Sequence, residues 1–536
     1  MKSVSTRENR PNRPNRAARA ASVARAALCG LVSGYVALAV AELIAVAVRP
    51  EAGPLTAVGG AVVDRTPAPV KEWAIRQFGT DDKLVLRLGI LAVLALFAAL
   101  VGVLAQRRRR AASLAVLAFG LVGALAATER PDSDSALDAV PSLCGALVGA
   151  GALYVLSGLL AYEAGRPGDP APRGPGRRGF LLAAGAVTAA ATGLGFLSRR
   201  LNDTTAADAA ASRAAVRLPA PASPAPALPR GVDLKVPDLS PFTTRNERFY
   251  RVDTALTVPR LDAARWRLRV HGEGVTTPLD LDFQNLLGRA LIERDITLTC
   301  VSNEVGGPYV SSARWLGVPL RELLEEAGVR PPSRGGPADQ LVARSVDGMT
   351  IGTPVEAVMD GRDAMLAVGM NGTPLPFAHG FPVRMLVPGL YGYVSACKWI
   401  RDIELTTFDA YDAYWVRRGW AAEAPIRTQS RIDTPRPFAR PKAGRVTVAG
   451  VAWAQHRGIE RVEVRVDDGA WQDADLAAEG PLDTWRQWSW QWPATSGGHT
   501  LQVRATDHTG HTQTAHRTGP APAGADGRHT VVVNVA

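Results

Sequence analysis

One cysteine stands where a rigid element gives way to a flexible one. Cys300 closes the run Thr297-Leu-Thr-Cys-Val-Ser-Asn-Glu-Val-Gly-Gly307, in which β-type residues stop and a Ser-Asn-Glu, Gly-Gly loop begins. A strand end aims its side chain into a loop-lined cleft, the usual seat of binding and catalytic groups. A thiol there reads either as a small buried apolar residue or as a functional thiolate, able to act as a nucleophile or a soft metal ligand. The other three cysteines offer less. Cys29 and Cys144 lie in long apolar runs, and Cys397 beside Lys398 reads as a packed thiol, so no disulfide framework is indicated. All eight histidines lie at His271 or later, which excludes bis-histidine haem from the first half of the chain. His508, His511 and His516 fall at a turn and in the segment after it, a weak pattern for metal.

Those groups must be positioned by a chain of two textures. Of 536 residues, 47% are hydrophobic and 21% charged, too apolar for a disordered chain. Five apolar runs, Ala26–Val48, Leu84–Ala105, Ala111–Ala127, Ala139–Tyr162 and Gly179–Ser198, have the ~17–25 residues that a bilayer-spanning helix needs. The net charge of +11 sits beside them: residues 1–25, 106–110 and 163–178 are basic, and the rest of the chain is nearly neutral. This excludes a nucleic-acid-binding surface as the source of the charge. If all five runs span, the three basic segments share one side and acidic 128–138 takes the other, so the N-terminus is expected in the cytoplasm and everything after residue 198 outside it. Arg177-Arg178-Gly179-Phe180-Leu181 has the form of a twin-arginine export signal, against the simpler reading of a positive flank. Gly174-Pro-Gly-Arg-Arg-Gly179 follows no strand and is discounted as a dinucleotide site. Glu42, an ionisable group within the first run, is a functional candidate or a polar helix contact.

The remaining divisions follow composition. Residues 199–241, with five prolines from Pro219 to Pro229, read as an extended tether. From 242 to 430 short strands mix with helices such as Pro319–Ala327, which suggests α+β. From 431 to 536 turn-separated strands (Arg445–Trp453, Ile459–Val466, Trp485–Trp492, Thr500–Asp507, Thr530–Val535) predict an immunoglobulin-like β-sandwich, with Trp488, Trp490 and Trp492 on one face as core. The expected architecture is multi-domain: a basic tail (1–25), five transmembrane helices (26–198), the linker, an α+β domain and the sandwich.

Three ordered blocks carry a resemblance. Thr299-Cys-Val-Ser-Asn303 with Ala313-Arg-Trp-Leu-Gly-Val-Pro-Leu320, then Met370-Asn-Gly-Thr-Pro-Leu-Pro-Phe-Ala-His-Gly-Phe-Pro-Val-Arg384, then Val387-Pro-Gly-Leu-Tyr-Gly-Tyr-Val-Ser-Ala-Cys-Lys-Trp-Ile-Arg401 resemble the molybdenum-cofactor domain of the sulfite oxidase family. The tail resembles that family's dimerisation domain. The resemblance covers residues 242–536 and implies a molybdopterin-dependent oxidoreductase, with Cys300 as the protein thiolate on molybdenum and the cofactor carrying oxygen-atom transfer. It places Arg251 near the active site and makes Asn303, His379, Arg384, Ser395 and Lys398 contacts to the pterin or its phosphate. It implies a partner for electrons, a quinone or a cytochrome, and a homodimer as one expected assembly; the apolar runs imply the lipid bilayer, and no nucleic acid is expected. Two departures bear on substrate. Where sulfite oxidases follow the cysteine with Ala-Gly-Asn-Arg-Arg, this chain has Val-Ser-Asn-Glu-Val, and Val368 and Gly369 stand near the position of the family's active-site tyrosine. The missing cations disfavour sulfite and leave small-molecule oxo-transfer, including S- and N-oxides, as the expected chemistry. The competing expectation is a non-catalytic tethered module that retains the fold.

Overall fold

The computed structural model describes residues 16–67, 82–130, 135–163, 177–255 and 257–536, together with 70, 73, 77, 78 and 133. Most of the basic tail, most of the 163–178 segment and Gly174–Gly176 of the glycine-rich match lie outside the described residues. The chain divides into two compact units, Met1–Ala206 and Ala207–Ala536.

The first unit is helical: α1 (Arg16–Val48), α2 (Pro54–Arg65), α3 (Asp82–Ala105), α4 (Arg109–Thr128), α5 (Val140–Glu163) and the start of α6 (Arg177–Ala215). Five of these are long and apolar enough to cross a membrane, and they coincide with the five runs read from sequence. Small residues let the helices cross closely. A Cβ on Gly30 would lie 1.9 Å from the Ala98 carbonyl oxygen, and one on Gly145 would lie 2.4 Å from that of Ala37, so α1 packs backbone-to-backbone on α3 and α5. Outward faces such as Leu84, Leu88, Val93, Leu96 and Leu100 of α3 are apolar and exposed.

Two features add to the sequence reading of this unit. A further helix, α2, forms after α1, its 12 residues being about 18 Å long and too short to span. Glu42 serves it structurally. The Leu55 N–H, at the second position of α2, donates to the Glu42 carboxylate, and a Cβ on Gly53 would lie 3.0–3.1 Å from both carboxylate oxygens. This makes the acid a polar contact between helices, one of the two roles its place in the apolar run offered.

The second unit starts with another difference. Helix α6 runs on to Ala215, because residues 206–215 are rich in alanine, the strongest helix former, and the prolines begin only at 219. The segment after it is not a free tether. Arg213 donates to the carbonyls of Pro374 and Leu375, Ser223 bridges to Ile292, and Leu234 N–H donates to Gln487 Oε1 at 2.5 Å.

Four sheets follow. The first contains β1 (Arg267–Gly272), β2 (Leu279–Asp282), β5 (Gln340–Ser345), β6 (Thr350–Pro354) and β10 (Ile400–Thr406), in the order β2-β1-β10-β5-β6 with only β1–β10 parallel. The second contains β3 (Ile292–Thr299), β4 (Val310–Pro319), β7 (Met365–Met370) and β8 (Thr373–Pro374) in that order, with β9 (Arg384–Leu386) also on β7. Short helices α7 (Phe283–Leu287), α8 (Leu320–Glu326), α9 (Val355–Met359) and α10 (Gly392–Ser395) connect them. Leu320, Leu323 and Leu324 of α8 face the core, as their spacing predicts.

The last hundred residues form two four-stranded antiparallel sheets. One has the order β11 (Gln429–Thr434), β12 (Gly444–Trp453), β16 (Arg486–Ala494), β15 (Asp475–Leu476). The other has the order β14 (Gln472–Asp473), β13 (Ile459–Val466), β17 (Gly497–Asp507), β18 (His529–Val535). Trp488, Trp490 and Trp492 alternate inward along β16 and fill the core against Val462, Val464, Leu501, Val503 and Val531. This pair of sheets also braces β3. Gln455 donates to the Thr297 carbonyl (3.0 Å) and to Thr299 Oγ1 (2.9 Å), one residue before Cys300.

Candidate active site

Cys300 sits one residue past β3, and its backbone fixes the loop that follows. Its N–H donates to the Tyr309 carbonyl at 3.0 Å, while its own carbonyl accepts from Asn303 N–H at 3.1 Å. Asn303 Oδ1 then accepts the Tyr309 N–H at 2.8 Å, which closes the loop on itself. Gly307 is required there, since a Cβ would lie 2.7 Å from Asn303 Oδ1. Arg431 donates to the Gly307 carbonyl (2.8 Å) and clamps the loop from outside. The thiol is buried, and burial pushes its pKa up; the N–H and hydroxyl of Ser302 and the charge of Lys398 pull the other way without winning. A thiolate at this position needs a strong local cation, which a bound metal provides.

Around it the second unit gathers the cationic residues read from sequence. Arg384, at the start of β9, is buried with its guanidinium over the Trp315 ring, 5.1 Å from the centroid. Its Nη1 donates to the His379 carbonyl at 3.3 Å, and its Nε is buried without a hydrogen-bond partner. No carboxylate pairs with it among the described residues. Burial brings its pKa down to about 10. An unpaired buried cation is strongly unfavourable, so the position suits an anionic ligand.

Lys398 lies close by. Gly380 makes this approach feasible: it has φ +105°, and a Cβ there would lie 3.0 Å from Arg384 Cβ and 3.1 Å from Lys398 Cα. The Lys398 ammonium donates to Asp253 Oδ2 (2.9 Å) and the Val252 carbonyl (3.1 Å), and lies 4.8 Å from the Trp399 ring centroid. Burial lowers its pKa to about 8, with Asp253 opposing the shift. Trp399 itself holds φ +51°, a left-handed conformation that a bulky residue rarely adopts.

His379 has its Nε2 3.1 Å from the Asn246 carbonyl. A carbonyl only accepts, so Nε2 carries the hydrogen and Nδ1 is left as an acceptor. Burial, then the charge of Arg384, brings its pKa down to about 4, so the ring is neutral at pH 7. Arg251 is the most open of the set, its side chain 38% exposed and its Nε 2.8 Å from Asp253 Oδ2.

One expectation fails in its detail. Ser395 is fully buried, and its hydroxyl donates to the carbonyls of Leu390 and Tyr391 at 3.0 Å each. Its single hydrogen is committed to closing α10, so it is not a donor for phosphate. Sequence reasoning also passed over two residues. Asp253 binds Arg251 and Lys398 together, and Tyr250 is packed beside the cysteine. Both lie in Phe249-Tyr-Arg-Val-Asp-Thr254, where only the arginine had been singled out; the short carboxylate spacing from Arg251 was the available signal. Cys397 is a packed thiol, as expected. Among the described residues no three His, Cys, Asp or Glu side chains are grouped to hold a metal. His508 instead pairs with Glu479 at 2.6 Å. A metal at Cys300 would therefore have at most two protein ligands of these types among the described residues and would draw the rest from a cofactor. The orphaned Arg384 Nε, the orphaned Asn303 Nδ2 and the glycine that admits Arg384 and Lys398 side by side fit an anionic pterin bearing such a metal.

Comparison with known proteins agrees. Residues 255–415 match the oxidoreductase molybdopterin binding domain. This segment is a molybdopterin-binding domain of the sulfite oxidase family. The chain is 32% identical to mitochondrial sulfite oxidase of Mus musculus over 290 residues, 47% of this chain and 50% of that protein. It is 31% identical to sulfite oxidase of Gallus gallus over 301 residues, 48% and 64%. It is also 28% identical to the NADH nitrate reductase 1 of Oryza sativa subsp. japonica over 317 residues, 48% and 34%. The chain thus spans between half and just under two thirds of the sulfite oxidases named. The cofactor of this domain is molybdenum-bound molybdopterin. Its members here carry different activities on one scaffold, so the substrate has to be argued from the site.

Proposed function

We propose that this protein is a membrane-anchored, molybdopterin-dependent oxidoreductase that carries out oxo-transfer on a small molecule, an S-oxide or N-oxide among them, outside the cytoplasm. The observation that carries the reading is Arg384, a buried guanidinium with an orphaned Nε and no carboxylate partner among the described residues, in the same unit as a strand-end cysteine. When bound, the cofactor supplies the two-electron oxygen-atom transfer. The chain supplies the rest. Cys300 gives the thiolate ligand. Arg384 and Lys398 would hold the cofactor's anionic tail, and the Nδ1 of His379 would be available to it as an acceptor. Asn303 orders the loop that follows Cys300 and would offer Nδ2 to the ligand. Arg251 stands at the exposed edge, where it meets the incoming substrate.

Glu304 and Val305 follow the cysteine, so this loop adds a negative charge and no cation. That favours a neutral oxo substrate over a dianion such as sulfite. Reduction of a sulfoxide consumes two electrons and two protons and releases the sulfide and water, the electrons coming from a quinol or a reduced cytochrome. The five apolar helices serve as anchor, and the basic flanks at 1–25, 106–110 and 163–178 support a cytoplasmic N-terminus. The two terminal sheets are of immunoglobulin-like type and offer a homodimer surface.

The test is metal and pterin content of the full chain purified in mild detergent, with Cys300→Ser alongside. Near-stoichiometric molybdenum in the parent, and redox activity lost in the variant, are expected. A metal-free parent from a host that makes the cofactor overturns the reading and leaves a non-catalytic tethered module.

A further inference from the structure

Tyr250 is fixed beside the metal-ligand position by packing. Its ring stacks on Phe249 (centroids 5.4 Å apart, planes at 21°), and Phe249 in turn meets Trp315 and His379 edge-on at 5.6 and 5.4 Å. Its backbone N–H donates to Ser311 Oγ at 3.2 Å. A Cβ on Gly392 would lie 3.8 Å from the Tyr250 hydroxyl and also 3.8 Å from the carbonyl of Thr299, the residue before Cys300. The hydroxyl therefore lies close to the first residue of α10, which itself lies close to the strand end that carries the thiol. Cys300 and Arg384 both act electrostatically on it. Tyr250 is only partly buried, and no hydrogen bond among the described residues uses its hydroxyl, so the group is available to a ligand.

We propose that the Tyr250 hydroxyl is a hydrogen-bond donor to the oxygen of a neutral oxo substrate, a sulfoxide or an N-oxide, bound at Cys300. This rests on reading the site as an oxo-transfer centre. A neutral dipolar oxygen calls for a neutral donor, and the phenol remains one. The ordinary pKa of a phenol, about 10, already keeps it protonated at neutral pH. No proton transfer from Tyr250 is invoked; its role is to position the S–O or N–O bond and stabilise charge building on that oxygen.

The experiment uses the full-length holoprotein in detergent and Tyr250→Phe, which deletes only the hydroxyl and keeps the ring stack. The probe is dimethyl sulfone, which presents the acceptor oxygens of a sulfoxide and is far harder to reduce. Its Kd is measured by ligand-observed NMR, with molybdenum content checked in both proteins. Expected are equal metal content and a Kd weakened about tenfold in the variant, the effect of one lost hydrogen bond. Kcat/KM for dimethyl sulfoxide should fall by about the same factor or more. Equal Kd values in the two proteins, or no sulfone binding to the parent, overturn the proposal. A parent that binds the sulfone through Tyr250 but turns over no S- or N-oxide keeps the donor role and sinks the oxo-transfer reading instead.

Discussion

Arg251 and Lys398 hold the same atom. Asp253 Oδ2 lies 2.8 Å from Arg251 Nε and 2.9 Å from Lys398 Nζ, and the carboxylate is almost wholly buried. One anion thus joins the exposed edge of the site to its interior, across 145 residues of sequence. Asp253→Asn keeps the shape and removes the charge. The two cations then repel without mediation, and Lys398, already held at about 8 by burial, loses its main counter-effect. The variant should retain at least about tenfold less pterin after gel filtration, since removing a buried ion-pair partner costs on the order of 2 kcal/mol or more. Unchanged retention would show that Asp253 only ties down its own loop.

Lys398 also gives the site a pH dependence with two opposite signs. On the proposed assignment, its cationic form is the one that attracts the cofactor's phosphate. Retention should therefore weaken as pH rises through about 8. The cofactor-free fold should do the reverse. Lys398's folded pKa is depressed below its ordinary 10.5, so the unfolded chain binds more protons between the two values. Lys398's contribution to stability accordingly rises with pH over that window. Cofactor release and denaturant midpoints of the apo chain, measured from pH 7 to 10, should diverge, and Lys398→Met should flatten both trends.

Arg384 separates a binding cation from a structural one. A residue whose charge belongs to an ion pair destabilises the fold when removed. A buried guanidinium without a carboxylate does the opposite once replaced by an apolar side chain of similar length. Arg384→Met should stabilise the cofactor-free chain by ~1–3 kcal/mol and abolish pterin retention. A loss of apo stability by a similar amount, read as a lower denaturant midpoint, would contradict the assignment.

How far the site is legible in sequence depends on whether its signal is local. Cys300 is visible because a β-type run, the thiol and a Gly-Gly loop are contiguous. Trp488, Trp490 and Trp492 are visible because period two reports a strand face directly. Asp253 and Tyr250 sit in an irregular stretch with no period, and what gives them meaning is Lys398 and Thr299, far along the chain. Strand β7 shows the same limit from another side. Every residue from Met365 to Met370 is buried, so no alternation marks it as a strand. The tether reading failed because alanine at 206–215 was grouped with the prolines that follow, although the two residues have opposite effects on a helix.

Ser395 offers a test in which little should happen to the cofactor. Its hydroxyl hydrogen is shared between Leu390 and Tyr391 carbonyls within one tight turn. Ser395→Ala should leave pterin content within about twofold of the parent, while lowering stability by ~1 kcal/mol, the usual worth of a buried hydrogen bond. A large loss of pterin with stability intact would return Ser395 to the binding set.

Asp507 carries the last prediction, for the two terminal sheets that brace β3. Its carboxylate is fully buried at the end of β17 and accepts from Thr428 Oγ1 (2.6 Å), Thr509 Oγ1 (2.6 Å) and Arg457 Nε (2.9 Å), with Arg457 also reaching the Ile426 carbonyl (2.8 Å). Burial alone would raise its pKa, but these donors outweigh burial and hold it well below the usual carboxylate range. A depressed folded pKa means that its stabilisation is fully present above the unfolded value, about 3.9, and is lost as pH falls below it. Asp507→Asn removes the charge at every pH and leaves Arg457 facing a neutral group. It should destabilise the chain by ~3 kcal/mol at pH 7 and by much less near pH 2, where the parent has begun to lose the same interaction. Denaturant melts of both proteins at the two pH values provide the check. A penalty that stays constant between them would mean that the asparagine fails through its amide geometry and not through the lost charge.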